Sequence, residues 1–360
     1  MRGRTTRVIT DREEIASLAD EWAELLETTR CHRAFSSHAF YMAACTRIGT
    51  PMLVTLREHG RLQGLLPLFF GAPASSPAEQ AASRRGPLPT ASEDGSETLP
   101  AQPAGRRRSE ASFPTRMSDY NDAIVRDHDP ALASILLEAA LAEVAAITLM
   151  QLRPDSVLLD VIGERSEPMI GVGTYATLSS YDHWLAQRSR VFRKSLLRAQ
   201  RAAARAGLVA REITSIANVA ETFLPIHLAR QQNSVFALPH ARAFIDAALD
   251  RLYAEGRLRV FGLFDDDKLI AIDLCMVGFN ALCSWNGGFL PEYERFAPGK
   301  LLLAHEIRVA CDEGKAEFDL LRGGHAYKAH WASERRELLT LTLHATAREK
   351  YSISSSYSLT

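Results

Sequence analysis

The residue types that carry out group transfer crowd together late in the chain. Phe318-Asp319-Leu320-Leu321-Arg322-Gly323-Gly324-His325-Ala326-Tyr327-Lys328-Ala329-His330-Trp331 sets a carboxylate, a guanidinium, an imidazole, a phenol and an ammonium just past a strand-like run. Ligands of open α/β sheets usually bind at such strand ends. Asp319 fits either catalysis or a structural ion pair with Arg322. The glycines beside His325 favour a functional loop over a core histidine, while Tyr327 and Trp331, four apart, also fit a packing pair. Earlier, in Gly287-Gly288-Phe289-Leu290-Pro291-Glu292-Tyr293-Glu294-Arg295-Phe296-Ala297-Pro298-Gly299-Lys300-Leu301-Leu302, a strand ends in Gly-Gly and Pro298-Gly299-Lys300 opens a helix. Orphan N–H groups and the positive end of the helix dipole make an anion site there. Gly299 would admit a phosphate and Lys300 would add charge. The same three residues also fit an ordinary strand-to-helix turn with proline in its favoured first position.

His227 and Arg230 lie one turn apart on a further helix, where a lone histidine is more often structural than a base. Arg190, Lys194, Arg198, Arg201 and Arg205 recur every three or four residues and share one helix face. Solvation alone accounts for such a stripe. The functional readings are contact with cofactor phosphates, an anionic membrane surface or RNA. The chain has no G-x-S-x-G elbow, Walker loop, H-E-x-x-H or G-x-G-x-x-G, so hydrolase, kinase, metalloprotease and dehydrogenase readings lose their usual support. Its 5 cysteines (Cys31, Cys45, Cys275, Cys283, Cys311) are widely spaced, which suits neither a disulfide framework nor a zinc set, and no metal is expected.

A net charge of -1 excludes a globally basic nucleic-acid binder, and 46% hydrophobic residues exclude disorder over most of the chain. The start of the sequence lacks an apolar h-region, and the apolar run at 131–150 carries Glu138 and Glu143, so a soluble helix is expected there. The chain reads as a reduced, cytoplasmic, globular protein.

These groups need a scaffold. Thr10-x-x-Glu13 forms a capping box ahead of an amphipathic helix, and a second helix starts near Ser37. Strands are expected at 52–57 and 62–70. The Pro-, Ser- and Glu-rich stretch 71–112 reads as a disordered insertion. A strand at 123–126, a helix near 131–146 and strands near 148–152 and 174–178 complete a first α/β unit. A single long helix spans 181–206. Beyond it come a strand at 208–213, helices at 216–231 and 241–255, strands at 258–264, 268–278 and 281–288, a helix at 300–313, and strands at 316–321 and 338–345. The order of the second half weakly repeats that of the first, which predicts a duplicated topology: an N-terminal unit over 1–178, a connecting basic helix over 179–206 and a C-terminal unit over 207–360.

At these residues the chain resembles the GNAT acyltransferase superfamily, in particular the tandem-domain CelD-like (cellulose-biosynthesis) acetyltransferases related to the FemAB peptidoglycan transferases. The resemblance rests on Gly287-Gly288-Phe289-x-Pro291-x-Tyr293, Ala297-Pro298-Gly299-Lys300-Leu301-Leu302, Phe318-Asp319-x-x-Arg322-Gly323, Tyr327-Lys328-x-x-Trp331, His227-x-x-Arg230 and Ser118-Asp119-Tyr120-Asn121-Asp122. It implies a tandem GNAT fold, an α/β architecture with mixed central sheets flanked by helices, in which two parallel strands open into a V that holds the donor. It further implies transfer of an acyl group from acyl-CoA to a primary amine on an amino sugar, an amino lipid or a natural product. The strand with Trp285 and Gly287 would bind pantetheine, and Pro298, Gly299 and Lys300 the pyrophosphate. His325 or His227 would act as base and Tyr327 as acid to the thiolate, with Asp319 and Arg322 as an orienting pair. Arg230, Arg322, Lys328 and Trp331 would contact substrate. Relatives often carry an acidic residue and a proline where this chain has Gly324-His325-Ala326, which makes His325 the substitute. The alternatives are an aminoacyl-tRNA donor lying on the arginine stripe and a non-catalytic accessory of polysaccharide or envelope assembly. Peripheral contact of the 190–205 face with an anionic inner membrane is a further expectation.

Overall fold

The computed structural model describes residues 3–46, 49–71, 108–113, 118–162 and 169–345. Asp11 accepts from the Glu14 N–H at 2.8 Å and Ser37 from the Phe40 N–H at 3.2 Å, so short polar side chains set where the first helices begin. The cap is Asp11 rather than Thr10. The first half runs β1 (Arg4–Ile9), α1 (Arg12–Ala16), α2 (Ala19–Glu27), α3 (His38–Cys45), β2 (Pro51–Glu58), β3 (Arg61–Phe70), β4 (Arg108–Ser112), β5 (Ile124–Val125), α4 (Pro130–Glu143), β6 (Val144–Leu152), α5 (Val157–Ile162) and β7 (Met169–Thr177). The second runs α6 (Tyr181–Ala186), α7 (Arg190–Arg205), β8 (Leu208–Glu212), α8 (Val219–Arg230), α9 (Pro239–Ala254), β9 (Leu258–Asp265), β10 (Lys268–Val277), β11 (Ala281–Phe289), α10 (Pro298–Asp312), β12 (Glu317–Arg322) and β13 (Glu334–His344).

The strands form one sheet in the order β1-β2-β3-β4-β6-β13-β7-β12-β11-β10-β9-β8, with β5 on β3. Two sheets were expected, and one continuous sheet is found. Each half contributes an antiparallel run that meets a parallel partner, β4 with β6 and β11 with β12. The last strand of each half then crosses over. β13 pairs with β6 and β7, and β7 pairs with β12. A division at 178 and 207 therefore follows the chain but not the sheet.

Three expectations needed correction. β1 was not foreseen. Residues 108–112, assigned to the disordered insertion, form β4, because parallel pairing with β6 gives their backbone groups partners; residues 72–107 lie outside the described residues. The single helix over 181–206 is two, broken at Gln187–Ser189, where Ser189 caps α7 by accepting from the Phe192 N–H at 3.2 Å.

Side-chain alternation along the strands supplies two faces. On β10, Ile272, Leu274 and Met276 join a core that runs from α1–α3 to α8 and α9, with Phe40 edge-on to Phe244 at 5.2 Å. Ala271 and Cys275 join the opposite core under α6, α7 and α10. The α4 and α5 helices cover that second face in the first half. Burying each leucine or phenylalanine of these cores contributes roughly 1.5–3 kcal/mol.

Candidate active site

β11 and β12 pair only at Ala281↔Glu317, Leu282↔Phe318 and Cys283↔Asp319, then part. Two distortions open the gap. Leu321 has φ 61, and the register of β12 against β7 shifts between Asp319 and Arg322. On β11 the register against β10 shifts where Leu274↔Asn286 gives way to Cys275↔Ser284, leaving Trp285 as the extra residue of a bulge. Residues 284–289 beyond the last pair are half-buried and line one side of the resulting V.

The two glycines of β11 serve packing. A Cβ on Gly288 would lie 2.5 Å from Cα of His227, so only glycine lets α8 rest on the strand. His227 itself is buried, and its Nδ1 lies 2.8 Å from the Gly287 carbonyl. A carbonyl only accepts, so Nδ1 carries the proton and Nε2 accepts from the Ser234 hydroxyl at 2.8 Å. Burial holds the imidazolium below its ordinary range. Both ring nitrogens are thus engaged in fixing α8 against β11, rather than free to take a proton.

The α10 helix starts from Ala297 in the left-handed region (φ 56), with Pro298 in its first turn and no side-chain cap. Gly299 faces open space, since a Cβ there would meet nothing within 4 Å. Its N–H, second in the helix, has no intrahelical acceptor. Lys300 reaches sideways to the Ser195 hydroxyl of α7 at 2.8 Å. On α7, Arg190, Lys194, Arg198, Arg201 and Arg205 are all exposed, and none forms an ion pair among the described residues.

The segment after β12 holds the other predicted residues, and they separate into two groups. Tyr327 is 52% exposed and its ring lies 6.1 Å from that of His325, also exposed, in the segment that follows β12. The rest are anchors. Trp331 is buried and stacked on Trp184 at 5.7 Å, and its carbonyl accepts from Trp184 and Arg188, each at 3.1 Å. Lys328 is buried and donates to the Arg322 carbonyl at 2.6 Å; burial lowers its pKa. Arg230, at the end of α8 and outside this segment, is exposed, lies over the Phe289 ring at 4.5 Å and faces Glu294 at 3.9 Å.

Asp319 does not orient Arg322. It is wholly buried, accepts from the Tyr120 hydroxyl at 2.8 Å and the Leu321 N–H at 2.7 Å, and faces Arg336 at 3.7 Å. Burial raises its pKa against the pull of Arg336. Arg322 pairs instead with Asp119. Ser118-Asp119-Tyr120 of the first half and Asp319-x-x-Arg322 of the second therefore meet at the seam between the halves.

Sequence reasoning missed a buried carboxylate pair. Asp273 of β10 is 8% exposed and Glu306 of α10 is 0% exposed. With Cys275 they place ligand atoms within 4.8 Å of one another. Asp273 Oδ2 accepts from the Ser284 hydroxyl of β11 at 3.2 Å, while Asp273 Oδ1 and both Glu306 carboxylate oxygens have no conventional hydrogen-bond partner. Burial raises Asp273 to about 7, with the Ser284 and Glu306 hydrogen bonds pulling the other way. Burial and the Asp273 charge push Glu306 well above the carboxylate range. The sequence signal was one carboxylate inside Ile270-Ala271-Ile272-Asp273-Leu274-Cys275-Met276 and another on the apolar face of Leu302-Leu303-Ala304-His305-Glu306-Ile307.

Residues 190–329 match the acetyltransferase (GNAT) domain family. On that match the chain is a transferase. No curated protein matches it. Among solved structures it is similar to FemX (TM-score 0.58, 11% identity, covering 93% of this chain and 96% of that one). It is also similar to L-PGS from Bacillus licheniformis (0.55, 10%, 89% and 90%). A third likeness is to the C-terminal DUF2156 domain of a protein designated lysylphosphatidylglycerol synthetase from Agrobacterium fabrum (0.52, 14%, 91% and 91%). The fold is GNAT-type over residues 190–329, and the likeness to these solved structures extends across most of the chain. No helix among the described residues is long and apolar enough to cross a membrane.

Proposed function

We propose that this protein transfers an acyl group from acyl-CoA to a primary amine while both are bound, as a tandem GNAT enzyme of the CelD-like branch whose chemistry resides in the second half. The observation that carries the reading is the parting of β11 and β12 beyond Cys283, directly ahead of an uncapped helix start at Gly299. The donor fits this place. Open backbone along 284–289 suits the amide-rich pantetheine arm, and the Gly299 N–H with the α10 dipole suits the pyrophosphate. When bound, acyl-CoA supplies an activated thioester carbonyl.

The chain's own residues do the rest. The α8 helix, through His227 and Gly288, fixes the β11 edge. Tyr327, in the segment that follows β12, keeps its hydroxyl protonated, since burial and the carboxyl pair of Asp273 and Glu306 raise its pKa; it would deliver a proton to the leaving sulfur. His325 stands beside it, and Arg230 and Arg322 flank the acceptor's approach. The acceptor is an amino sugar, an amino lipid or a natural-product amine. Placement is cytoplasmic, with the cationic α7 face lying against an anionic inner membrane during envelope or lipid synthesis.

Purified protein with acyl-CoA and a panel of amines should release thiol, and calorimetry should show acyl-CoA binding. Neither signal with any donor would favour a non-catalytic accessory role and refute the enzyme reading. One observation favours a second donor: the five exposed cations of α7, in no ion pair among the described residues, suit an aminoacyl-tRNA. Filter binding to tRNA with a steep salt dependence, together with no acyl-CoA affinity, would select it.

A further inference from the structure

The Asp273–Glu306 pair has no role in holding the fold that its surroundings explain. Two carboxyl groups sit in an apolar core where, among the described residues, Ser284 is the one conventional donor to them and their remaining contacts are with each other and with Cys275. What sets the pair apart from an accident of packing is its outlet. Ser284 is half-buried, comes immediately after the last β11–β12 pair, and hydrogen-bonds Asp273 through its hydroxyl. The chain Glu306, Asp273, Ser284 therefore leads from the core to the crotch of the V. A carboxyl pair this close cannot be doubly ionised in such surroundings, so one proton is shared within it. The groups bearing on the pair are few. Cys275 adjoins it on β10, Tyr327 in the segment after β12 feels its charge without a hydrogen bond to it, and His305 on α10 turns instead to Phe261. Among the described residues, no lysine or arginine forms an ion pair with either carboxyl or is a cause of its shift.

We propose that Ser284, Asp273 and Glu306 form a proton relay for the acyl transfer, Ser284 touching the acceptor amine and the carboxyl pair storing its proton. The proposal rests on the acyl-CoA reading above. An amine of pKa about 10 arrives as ammonium. Ser284 Oγ takes one N–H proton as its own hydroxyl proton passes to Asp273. The freed lone pair forms the C–N bond, the C–S bond breaks, and Tyr327 protonates the departing thiolate. A second proton on the new amide nitrogen then returns to the Tyr327 phenolate. Asp273 discharges its proton through Ser284 to water as the products leave, so the cycle releases one proton overall. Glu306, itself protonated, holds Asp273 in place and is a positioning residue.

The test is the pH profile of kcat/KM for thiol release, with acyl-CoA binding followed in parallel by calorimetry. Wild type should show an acid limb centred near 7, the value to which burial lifts Asp273. Ser284→Ala, at a half-buried position, should lower kcat about tenfold or more without changing acyl-CoA affinity. Asp273→Asn should lose about 100-fold or more and abolish the limb, within the usual range for a general base. Glu306→Gln should move the limb to lower pH with a smaller loss of rate. A limb unchanged in Asp273→Asn and full turnover in Ser284→Ala, with acyl-CoA still bound, would overturn the relay and leave the acyl-transfer reading standing. Wild type that neither binds acyl-CoA nor releases thiol would overturn both. A stoichiometric divalent metal found by elemental analysis and lost in Glu306→Gln would also overturn the relay, since the cluster would then be an ion site.

Discussion

Two parallel-strand junctions sit in one sheet, and they have been finished differently. In the first half, β4 and β6 pair from Arg108↔Val144 to Ser112↔Thr148. Phe113, Ser118, Tyr120 and Asn121 are buried beyond it, and small cavities lie between these residues and the segment around Cys31–Ser37. Its helix α4 also starts with a proline, but Asp129 caps it, accepting from the Ala131 N–H at 2.8 Å. That carboxylate occupies the place where an anion would sit. In the second half the gap beyond Cys283↔Asp319 stays open, and α10 starts on Ala297 and Gly299 with no side-chain cap. Even the backbone irregularities correspond. Gln151 on β6 and Leu321 on β12 both adopt positive φ, 58 and 61, where their strands turn toward the exchanged neighbours. Both junctions carry a residue of positive φ, and they differ in how the helix beside each one starts: capped by a carboxylate at α4, uncapped at α10.

Gly288→Val should blur this difference most, by lifting α8 off β11. We expect activity to fall by more than 100-fold and stability by about 1–3 kcal/mol, checked by thiol release and urea denaturation. Gly299→Asp would give α10 the acidic start that α4 has. With open space around the new Cβ the fold should be unharmed, while KM for acyl-CoA rises about 10- to 100-fold, measured by initial rates. Tyr120→Phe removes the hydroxyl that binds Asp319 across the seam and should cost roughly 1–3 kcal/mol in denaturation experiments.

The pH dependence of stability sharpens the contrast further. Asp273 and Glu306 have raised pKa values, so the stability they allow is fully present below about pH 4; that of Asp273 drains away as pH rises through about 7, and that of Glu306 as pH rises through its own raised value. Buried His32 and His227 have lowered values, so theirs is present above their ordinary pKa of about 6.5 and is lost as pH falls. The two sets oppose each other between about pH 4 and 6.5, and Glu306→Gln should remove the fall in stability that its carboxyl imposes as pH rises above about 4, read from a series of denaturation curves. The smallest effect belongs to Arg198→Ala on the exposed α7 face, below about 0.5 kcal/mol, detectable only as weaker binding to anionic vesicles.

The second half was the more legible in sequence because its elements are local. The strand, helix and turn signals from Leu208 onward each rest on neighbours in the chain, and Pro298-Gly299-Lys300 marks its helix start directly. Contacts between distant residues were not legible. β4 sits in a Pro- and Ser-rich stretch and owes its form to pairing with β6, which begins at Val144. Asp319 was read against Arg322, three residues on, when its hydroxyl partner is Tyr120, 199 residues away. Tyr120 and Asp119 stood within a recognised motif, yet nothing in the motif says what they touch. Asp273 and Glu306 passed unnoticed because strand and helix patterns were read for their apolar residues, and the exceptions went unweighed.

The crossing of β7 and β13 bears on how a ribosome must make this protein. When the chain has emerged only as far as Thr177, β6 has one open edge and β7 is the only later strand on hand to fill it. Its finished neighbour, Glu334–His344, has yet to be synthesised. Any hairpin formed early between β6 and β7 would have to be undone before β13 can slide between them, so the first half is born first and completed last.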